Sequence, residues 1–312
     1  MLNKQLKNRI QSDFGDILSV IKLTGGANHG IFKIKTLNTV LAVKIFNKKR
    51  GLLKEKYERE LWGLKYFKSC GIRVPQLRAI YPNEKALAIE YIDNDASNNS
   101  INIDNFIEFV SAANIHDYDD GVPYSLGNGL TVKGTIKDCH NRVSRLIKIK
   151  EKSAILNVLF ARINFGLSSL EGRSLNIHTL KTVVSAGDFG KHNVLISNGE
   201  YVFFDFEYCG FDDLSKLICD FILHPGHSLT SENKYTFLEG TLHLLQNKKC
   251  VKNQLKFFYE LYSYRWALIV LNSFLYDFSD RVSDTDNKRN ELLIKQLEKS
   301  ETFIENAKNF PF

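Results

Sequence analysis

The sequence predicts an α+β protein of two lobes, a small β-rich N-terminal lobe with one packed helix and a larger, mainly helical C-terminal lobe. Three observations lead to this fold class. Alternating apolar and polar residues, the period of a half-buried strand, recur through residues 1–92. Apolar residues at helical spacing dominate the chain from residue 104 onward. The 312 residues, of which 44% are hydrophobic, can bury a large core.

The N-terminal lobe, residues 1–92, begins with a polar segment that holds a short helix. Three strands follow, and the first runs into a glycine-rich turn that contains Gly25, Gly26 and Asn28. A helix and a final hairpin complete this lobe. The strands are predicted at 19–25, 31–36, 40–46, 76–81 and 86–92, and the helix at 52–69.

The C-terminal lobe, residues 93–312, starts at a polar, turn-rich connector over 93–100. Asn198-Gly199 is a strong hairpin signal between two short apolar runs. Strands are therefore predicted at 193–196 and 201–204, and helices at 104–114, 132–150, 152–168, 213–223, 232–247, 251–276 and 288–308.

Composition and charge exclude several classes of protein. The longest apolar stretch, 266–271, is far shorter than the roughly 20 residues of a spanning helix, and the N-terminus lacks an apolar signal region. We therefore expect no membrane insertion and a cytoplasmic location. The five cysteines form no CxxC pair, which argues against a zinc site or a disulfide framework.

The net charge of +7 is concentrated near the N-terminus. Residues 1–50 carry ten of the 42 Lys/Arg and two of the 35 Asp/Glu. Because these basic residues interleave with strand patterns, they favour a phosphate-binding region with solvated lysines over a nucleic-acid surface. No nucleic-acid partner is expected.

The strongest chemical pattern lies in residues 185–207. Asp188 and Asn193 have the D-x-x-x-x-N spacing of the protein-kinase catalytic loop, in which the Asp handles the acceptor hydroxyl and the Asn holds a metal ion. Asp205 follows the predicted hairpin and suits a metal-binding carboxylate, since Mg²⁺ prefers oxygen ligands. Glu207 is either a second ligand or a solvated neighbour.

Upstream, a lysine lies on the third predicted strand. Lys44, in Ala42-Val43-Lys44, matches the strand lysine that pairs with the α- and β-phosphates of ATP. Glu60 on the following helix can hold this lysine, and Glu58 is the other candidate. Each motif is weak alone, but their order along the chain forms a strong pattern typical of phosphoryl transfer.

Taken together, these residues resemble the aminoglycoside phosphotransferase and choline kinase family, which comprises small-molecule kinases of the protein-kinase-like fold. The resemblance covers about residues 20–225 and implies ATP and Mg²⁺ as cofactors. It implies Asp188 as the base, Asn193, Asp205 and Glu207 as metal ligands, and Gly25, Gly26, Asn28, Lys44, Glu60, Glu90 and Ile92 around the nucleotide. The motifs that carry it are Gly25-Gly26-Ala27-Asn28, Ala42-Val43-Lys44, Glu58-Arg59-Glu60, Val74-Pro75, Gly187-Asp188, Asn193-Val194-Leu195 and Asp205-Phe206-Glu207.

One position departs from the family pattern. Ala186 stands where the family usually has a histidine that supports the catalytic loop. The candidate proton acceptor and metal ligands are present. The missing histidine leaves two alternatives, an altered geometry of the catalytic loop and an inactive pseudoenzyme. His192, between the candidate catalytic residues, is expected to pack in the loop rather than act as a base.

The resemblance implies a kinase that phosphorylates a hydroxyl of a small molecule. The candidate acceptors are a sugar or surface-glycan precursor, an amino alcohol and an aminoglycoside. A protein kinase is disfavoured, because eleven residues separate Asn193 from Asp205 and no APE-type segment follows Glu207. A non-catalytic nucleotide-binding module is the third possibility. The oligomeric state stays open.

Several C-terminal features allow two interpretations. Asp220, on an apolar helix, is expected to be a structural anchor for the catalytic-loop backbone rather than a chemical group. The acidic segments 116–120 and 277–286 either attract an amine-bearing acceptor or are solvated loops. The aromatic stretch 257–266 is either a cage for a quaternary amine or helix packing, which is favoured. Arg265 could bind an acidic acceptor or an internal carboxylate.

Overall fold

The computed structural model divides the chain into two compact units that interleave along the sequence. The first comprises Met1–Tyr124 and Ala186–Gly210, and the second Ser125–Ser185 and Phe211–Phe312. The predicted lobes, 1–92 and 93–312, are continuous stretches and stay a prediction. The structure describes residues 2–23, 30–46, 53–95, 101–115, 132–148, 154–174, 177, 180–245, 251–275 and 286–312.

The first unit is built on an antiparallel sheet of five strands in the order β1-β2-β3-β5-β4. Hydrogen-bonded hairpins link β1 to β2, β2 to β3 and β4 to β5, as the alternating pattern predicts. Strand β3 therefore lies in the middle of the sheet. The strands are β1 (Ile17–Lys22), β2 (Gly30–Thr36), β3 (Val40–Ile45), β4 (Leu77–Tyr81) and β5 (Ala86–Glu90).

A helix at the N-terminus, α1 (Lys4–Phe14), packs on this sheet. Leu6 and Ile10, four residues apart, share one helix face and are buried against the sheet together with Leu2, which precedes the helix. The Asn3 side chain caps the helix by accepting from the Leu6 N–H at 2.7 Å. The sheet thus carries this helix in addition to the one predicted over 52–69.

The remainder of the first unit supplies two helices and a hairpin. The helices are α2 (Leu53–Ser69) and α3 (Ile103–Ala112). Past residue 186, a turn of 3₁₀ helix leads into the two hairpin strands, β7 (Val194–Ser197) and β8 (Glu200–Phe203), with Asn198-Gly199 at the tip as predicted.

The second unit is mainly helical. It also holds a two-stranded sheet of β6 (Thr182–Ser185) and β9 (Gly210–Asp213), neither of which was expected from the sequence. Four residues are too few to show an alternating pattern, and the pairing itself defines these strands. The helices are α4 (Val132–Ile147), α5 (Ala154–Arg173), α6 (Leu214–Leu223), α7 (Ser231–Leu242), α8 (Val251–Val270) and α9 (Asp286–Asn306).

Helix α5 continues five residues past the predicted end at residue 168. Its last turns contain Ser-Ser and Gly, which are weak helix formers. Leu167 and Leu170 are fully buried, however, so tertiary packing overrides local propensity. Within the parts of the chain that the structure describes, none of the helices combines the length and the apolar character that crossing a bilayer demands.

Candidate active site

A buried lysine is the centre of the candidate site in the first unit. Lys44 lies on β3, and its side chain is only 6% exposed. Its Nζ donates to Glu60 Oε2 at 2.9 Å and to Asp205 Oδ1 at 2.5 Å. Glu207 Oε2 lies 3.8 Å from the same nitrogen. We call these four residues the Lys44 cluster.

The charges of the Lys44 cluster determine its protonation. Burial alone lowers the pKa of the Lys44 ammonium, but the carboxylates of Asp205, Glu60 and Glu207 outweigh burial and raise that pKa above its usual range. Burial raises the pKa of the Glu60 carboxyl, and the Lys44 ammonium acts in the opposite direction. Lys44 is therefore a permanent buried cation.

Glu60, rather than Glu58, faces Lys44. Glu60 is 2% exposed on α2, whereas Glu58 lies 3.8 Å from the exposed Lys54 one turn before it. Residues two apart on a helix point to different faces, so only one of the two glutamates can reach the sheet.

The Asp205 backbone has an uncommon conformation. Its φ is +64°, in the left-handed region that asparagine and aspartate tolerate better than other non-glycine residues. Strain of this kind persists only where the surroundings enforce it, and it concentrates at functional sites. This conformation directs the Asp205 carboxylate to the Lys44 ammonium.

A cluster of aromatic rings positions the residues that follow both candidate aspartates. Phe206 follows Asp205 and packs on Phe67 of α2, with ring centroids 4.7 Å apart. Phe189 follows Asp188 and lies 4.8 Å from Phe109 of α3. Since Phe67 and Phe109 are themselves 4.8 Å apart, one buried cluster anchors both loops.

Backbone contacts position the loop that carries Asp188. The Asn193 side-chain nitrogen donates to the Asp188 carbonyl at 2.9 Å. The Phe204 N–H donates to the Asn193 carbonyl at 3.1 Å, which ties this loop to the residue before Asp205. The spacing of Asp188 and Asn193 therefore closes a compact loop whose backbone runs directly to Asp205.

Gly187 permits this loop to pass close to the segment after Asp205. Its φ is +85°, and a Cβ built there would lie 2.2 Å from the Tyr208 carbonyl oxygen. Both the conformation and the contact exclude a side chain. Gly63 on α2 has a similar role, because a Cβ there would lie 2.5 Å from the Phe206 Cβ.

Gly187→Ala is expected to destabilise the fold by about 3 kcal/mol, because the left-handed conformation and the backbone clash both oppose a methyl group. Gly199→Ala is the matched control: its φ is +80°, but no atom lies within 4 Å of the added Cβ. The free energy of unfolding of that control should fall by only about 1 kcal/mol. Denaturant unfolding measures both variants, and equal losses would contradict the close approach to Tyr208.

His192 lies beside Asp188. Its Nε2 is 3.3 Å from Asp188 Oδ2, and this hydrogen bond raises the pKa of the imidazole. The favourable contact with the imidazolium is present at low pH and is lost as the pH rises through that pKa. The His192 ring, which the sequence placed in loop packing, therefore contacts the candidate base directly.

A second lysine, not predicted from the sequence, holds Glu207. Lys56 Nζ lies 3.1 Å from Glu207 Oε1 and donates to the Tyr208 hydroxyl at 2.5 Å. The same nitrogen lies 4.3 Å from the Tyr208 ring centroid. Lys56 is one helical turn before Glu60, so the two side chains project from the same face of α2. This spacing is the signal by which the sequence could have indicated that Lys56 belongs to the site.

The donor atoms suit a divalent cation that prefers oxygen. Asp205 and Glu207 supply carboxylates, and Asn193 uses its amide nitrogen on Asp188, which directs its amide oxygen away from that bond. The Lys44 and Lys56 ammonium groups face these carboxylates. Mg²⁺ fits this donor set better than a softer metal does.

The residues predicted for adenine lie elsewhere in the first unit. Glu90 ends β5, and its carboxylate accepts from Arg73 at 2.8 and 2.9 Å and from the Gln76 N–H at 3.0 Å. The Arg73 hydrogen bonds lower the pKa of Glu90. Ile92 lies two residues beyond that strand and is half-buried. The predicted Gly25, Gly26 and Asn28 lie outside the described residues.

Asp220 belongs to an ion-pair group in the second unit. Its Oδ2 lies 2.7 Å from Lys216 Nζ and 3.6 Å from Arg265 Nη1, and the Trp266 indole N–H donates to Oδ1 at 3.2 Å. Lys216 also pairs with Asp212. These cations neutralise Asp220, so its role is structural. Its partners are side chains of the second unit, however, and not the catalytic-loop backbone that was expected from the sequence.

Two other C-terminal features have structural partners. The side chains of the aromatic stretch are mostly buried, which fits helix packing rather than an open cage. Arg265 pairs with Asp138 and Asp220, and Glu260 with Arg173. The acidic segment 116–120 lies outside the described residues, as do 277–285.

Known proteins resemble this chain in structure rather than in sequence. No family model and no curated protein matches the sequence. A choline kinase from Streptococcus pneumoniae matches with a TM-score of 0.64 at 17% identity, over 96% of this chain and 98% of that chain. The gentamicin complex of APH(2″)-IIa matches with a TM-score of 0.66 at 16% identity, over 100% and 99% of the two chains.

A third match is the ADP-bound aminoglycoside phosphotransferase APH(2″)-Ib, with a TM-score of 0.61 at 14% identity over 99% of this chain and 100% of that one. These structures share the protein-kinase-like α+β fold with this chain. The predicted fold class is therefore confirmed, and the resemblance in the motifs points to the same group of proteins.

Proposed function

We propose that the protein is an ATP- and Mg²⁺-dependent phosphotransferase that phosphorylates a hydroxyl group of a small molecule. One observation carries this proposal: the buried ion pair of Lys44 with Glu60 also contacts Asp205, and the loop of Asp188 and Asn193 is bonded to the residue before Asp205. Phosphoryl transfer depends on positioning and charge stabilisation, and these are the groups it requires.

Each group has a distinct role in the proposed reaction. The Lys44 ammonium binds the nucleotide phosphates, and Glu60 fixes its orientation. Asp205, with Asn193 and Glu207, would hold Mg²⁺, which neutralises charge on the phosphates. Asp188, whose side chain is 37% exposed, orients the acceptor hydroxyl and takes its proton.

The acceptor is proposed only as a small molecule. The structurally similar proteins include a choline kinase and an enzyme bound to gentamicin, which supports that class. The candidates are a sugar or surface-glycan precursor, an amino alcohol and an aminoglycoside. The carboxylates of Asp138, Asp212 and Asp220 are already paired with internal cations, so they offer little attraction to an amine.

An acceptor screen tests the function. The full chain is incubated with ATP and Mg²⁺ and a panel of sugars, amino alcohols and aminoglycosides, and ADP release is followed with mass spectrometry of the products. Acceptor-dependent ADP release with a mass increase of one phosphoryl group is expected. Nucleotide binding in calorimetry without transfer to any acceptor would instead favour the non-catalytic module that Ala186 leaves open.

The protein-kinase alternative conflicts with the short segment after Asp205. Strand β9 begins at Gly210 and α6 at Leu214, so few residues are available for a peptide-docking segment. The chain is incubated with labelled ATP, Mg²⁺ and mixed protein substrates. Protein labelling is expected to stay at the level of a control incubation without Mg²⁺.

Lys56→Met is expected to raise the Mg²⁺ concentration needed for half-maximal activity about 10- to 100-fold, because Glu207 loses the cation that orients it. Lys56→Arg should restore most of the activity. Lys54→Met is the matched control, since Lys54 is 79% exposed on the same helix and should leave the magnesium dependence unchanged. Magnesium titration of turnover measures all three variants, and an unaltered dependence in Lys56→Met would contradict this role.

A further inference from the structure

The second unit contains a cavity of about 470 Å³. It is enclosed by the end of α6, the lead-in to α7, one side of α8 and the end of α9 with the tail that follows. The volume lies in the range of small-molecule pockets, which hold a ligand against apolar walls with a few polar groups. The described residues that line this cavity belong to the second unit.

The polar lining of the cavity carries one positive charge. Lys234, near the start of α7, is its one cation among the described residues, and no described carboxylate lines it. The other polar lining residues include histidines, hydroxyls and amides. Each of these can both donate and accept, and they are His224, His227, Ser228, Tyr259, Thr302, Asn306 and Asn309. The Thr302 hydroxyl and the Asn309 amide already donate to backbone carbonyls of α9.

The described acidic side chains of the surrounding helices are not part of the lining, so they do not neutralise Lys234 there. Glu260 of α8 pairs with Arg173 at 2.6 Å, and Glu301 of α9 lies 3.4 Å from Arg162. Glu232, in the first turn of α7, is exposed. The lining thus keeps a positive charge.

The His224 ring is held in one orientation. It is 8% exposed and packs edge-on against Trp266, with centroids 5.0 Å apart. Its Nδ1 accepts from the Gly226 N–H at 3.0 Å, so the neutral ring carries its proton on Nε2. The remaining wall is apolar and includes Leu223 and Phe303.

We propose that this cavity binds a small molecule that carries a carboxylate or phosphate group on a compact, partly apolar body. An oxyanion supplies the negative charge that complements Lys234. The apolar wall takes the body of the ligand. An amine would find no carboxylate in the lining to replace its hydration.

Three ligands of nearly equal shape test the charge preference. Benzoate, benzyl alcohol and benzylamine are titrated into the full chain by calorimetry, and phenyl phosphate shows which anionic group fits better. Benzoate is expected to bind at least about fivefold more tightly than the other two. Lys234→Gln should remove this preference, and Lys234→Arg should keep it. Lys252→Gln, at an exposed position of α8, is the control and should leave binding unchanged.

Photolabelling locates the site. The probe 4-azidobenzoate is expected to label peptides that contain 222–234, Tyr259 or 302–311, and benzoate should protect them. Equal affinities for the three ligands, tighter benzylamine binding, no benzoate binding, or labelling outside these peptides would overturn the proposal. Because the test measures binding alone, its outcome is independent of the phosphotransferase activity proposed above.

Discussion

Asp188→Asn is expected to reduce turnover about 10²- to 10⁴-fold, the usual contribution of a positioned general base. The amide keeps the size of the side chain but cannot take the proton of the acceptor hydroxyl. ATP affinity should change little, because the proposed nucleotide contacts come from other residues. The fold should also remain intact, since the Asn193 side chain holds the loop through the Asp188 carbonyl, which the substitution keeps.

The measurements are acceptor-dependent ADP release and ATP calorimetry on the variant. Asp93→Asn is the matched control, because that carboxylate is 87% exposed in the same unit and is expected to be neutral. The NMR titration of His192 gives a structural readout independent of activity. Its pKa should fall toward the ordinary value in Asp188→Asn, because the neutral amide no longer offers the imidazolium a charged hydrogen-bond acceptor. Full turnover in this variant would refute Asp188 as the base.

Lys44→Met is expected to abolish measurable transfer and to destabilise the first unit. Removing the ammonium leaves Glu60 and Glu207 buried without the cation between them, and breaking a buried pair costs about 3–5 kcal/mol. Loss of the phosphate contact should weaken ATP binding at the same time. Lys35→Met, at an exposed position on the neighbouring strand, should change neither property.

A double variant separates the two effects of Lys44. Lys44→Met with Glu60→Gln removes one of the stranded charges and is expected to recover part of the stability without recovering activity. Denaturant unfolding and ADP release are measured on the same preparations. Recovery of both properties together would show that Lys44 acts only through the fold.

Several site residues follow from the sequence because their signals are local. The five-residue spacing of Asp188 and Asn193 closes one loop, and Lys44 lies on a strand with an alternating pattern. The sequence left two candidate partners for Lys44, because Glu58 and Glu60 both lie on α2 and either could face the lysine. Only the angle at which that helix packs on the sheet brings Glu60 to Lys44.

Other residues of the site were missed because their roles depend on distant parts of the chain. Lys56 and Tyr208 meet across 152 positions. Gly187 resembles any loop glycine in the sequence, and only the nearby Tyr208 carbonyl shows why a side chain is excluded. The short strands β6 and β9 are defined by their pairing with each other, which a run of four residues does not indicate in the sequence.

The α+β fold class and the order of its main elements were determined by the sequence itself, because the spacing of apolar residues along the chain distinguishes strands from helices. The tertiary structure decided which carboxylates surround Lys44, which residue orients Glu207, and the left-handed conformation of Asp205. These depend on packing between segments far apart in the chain, where burial rather than local propensity sets the free energy.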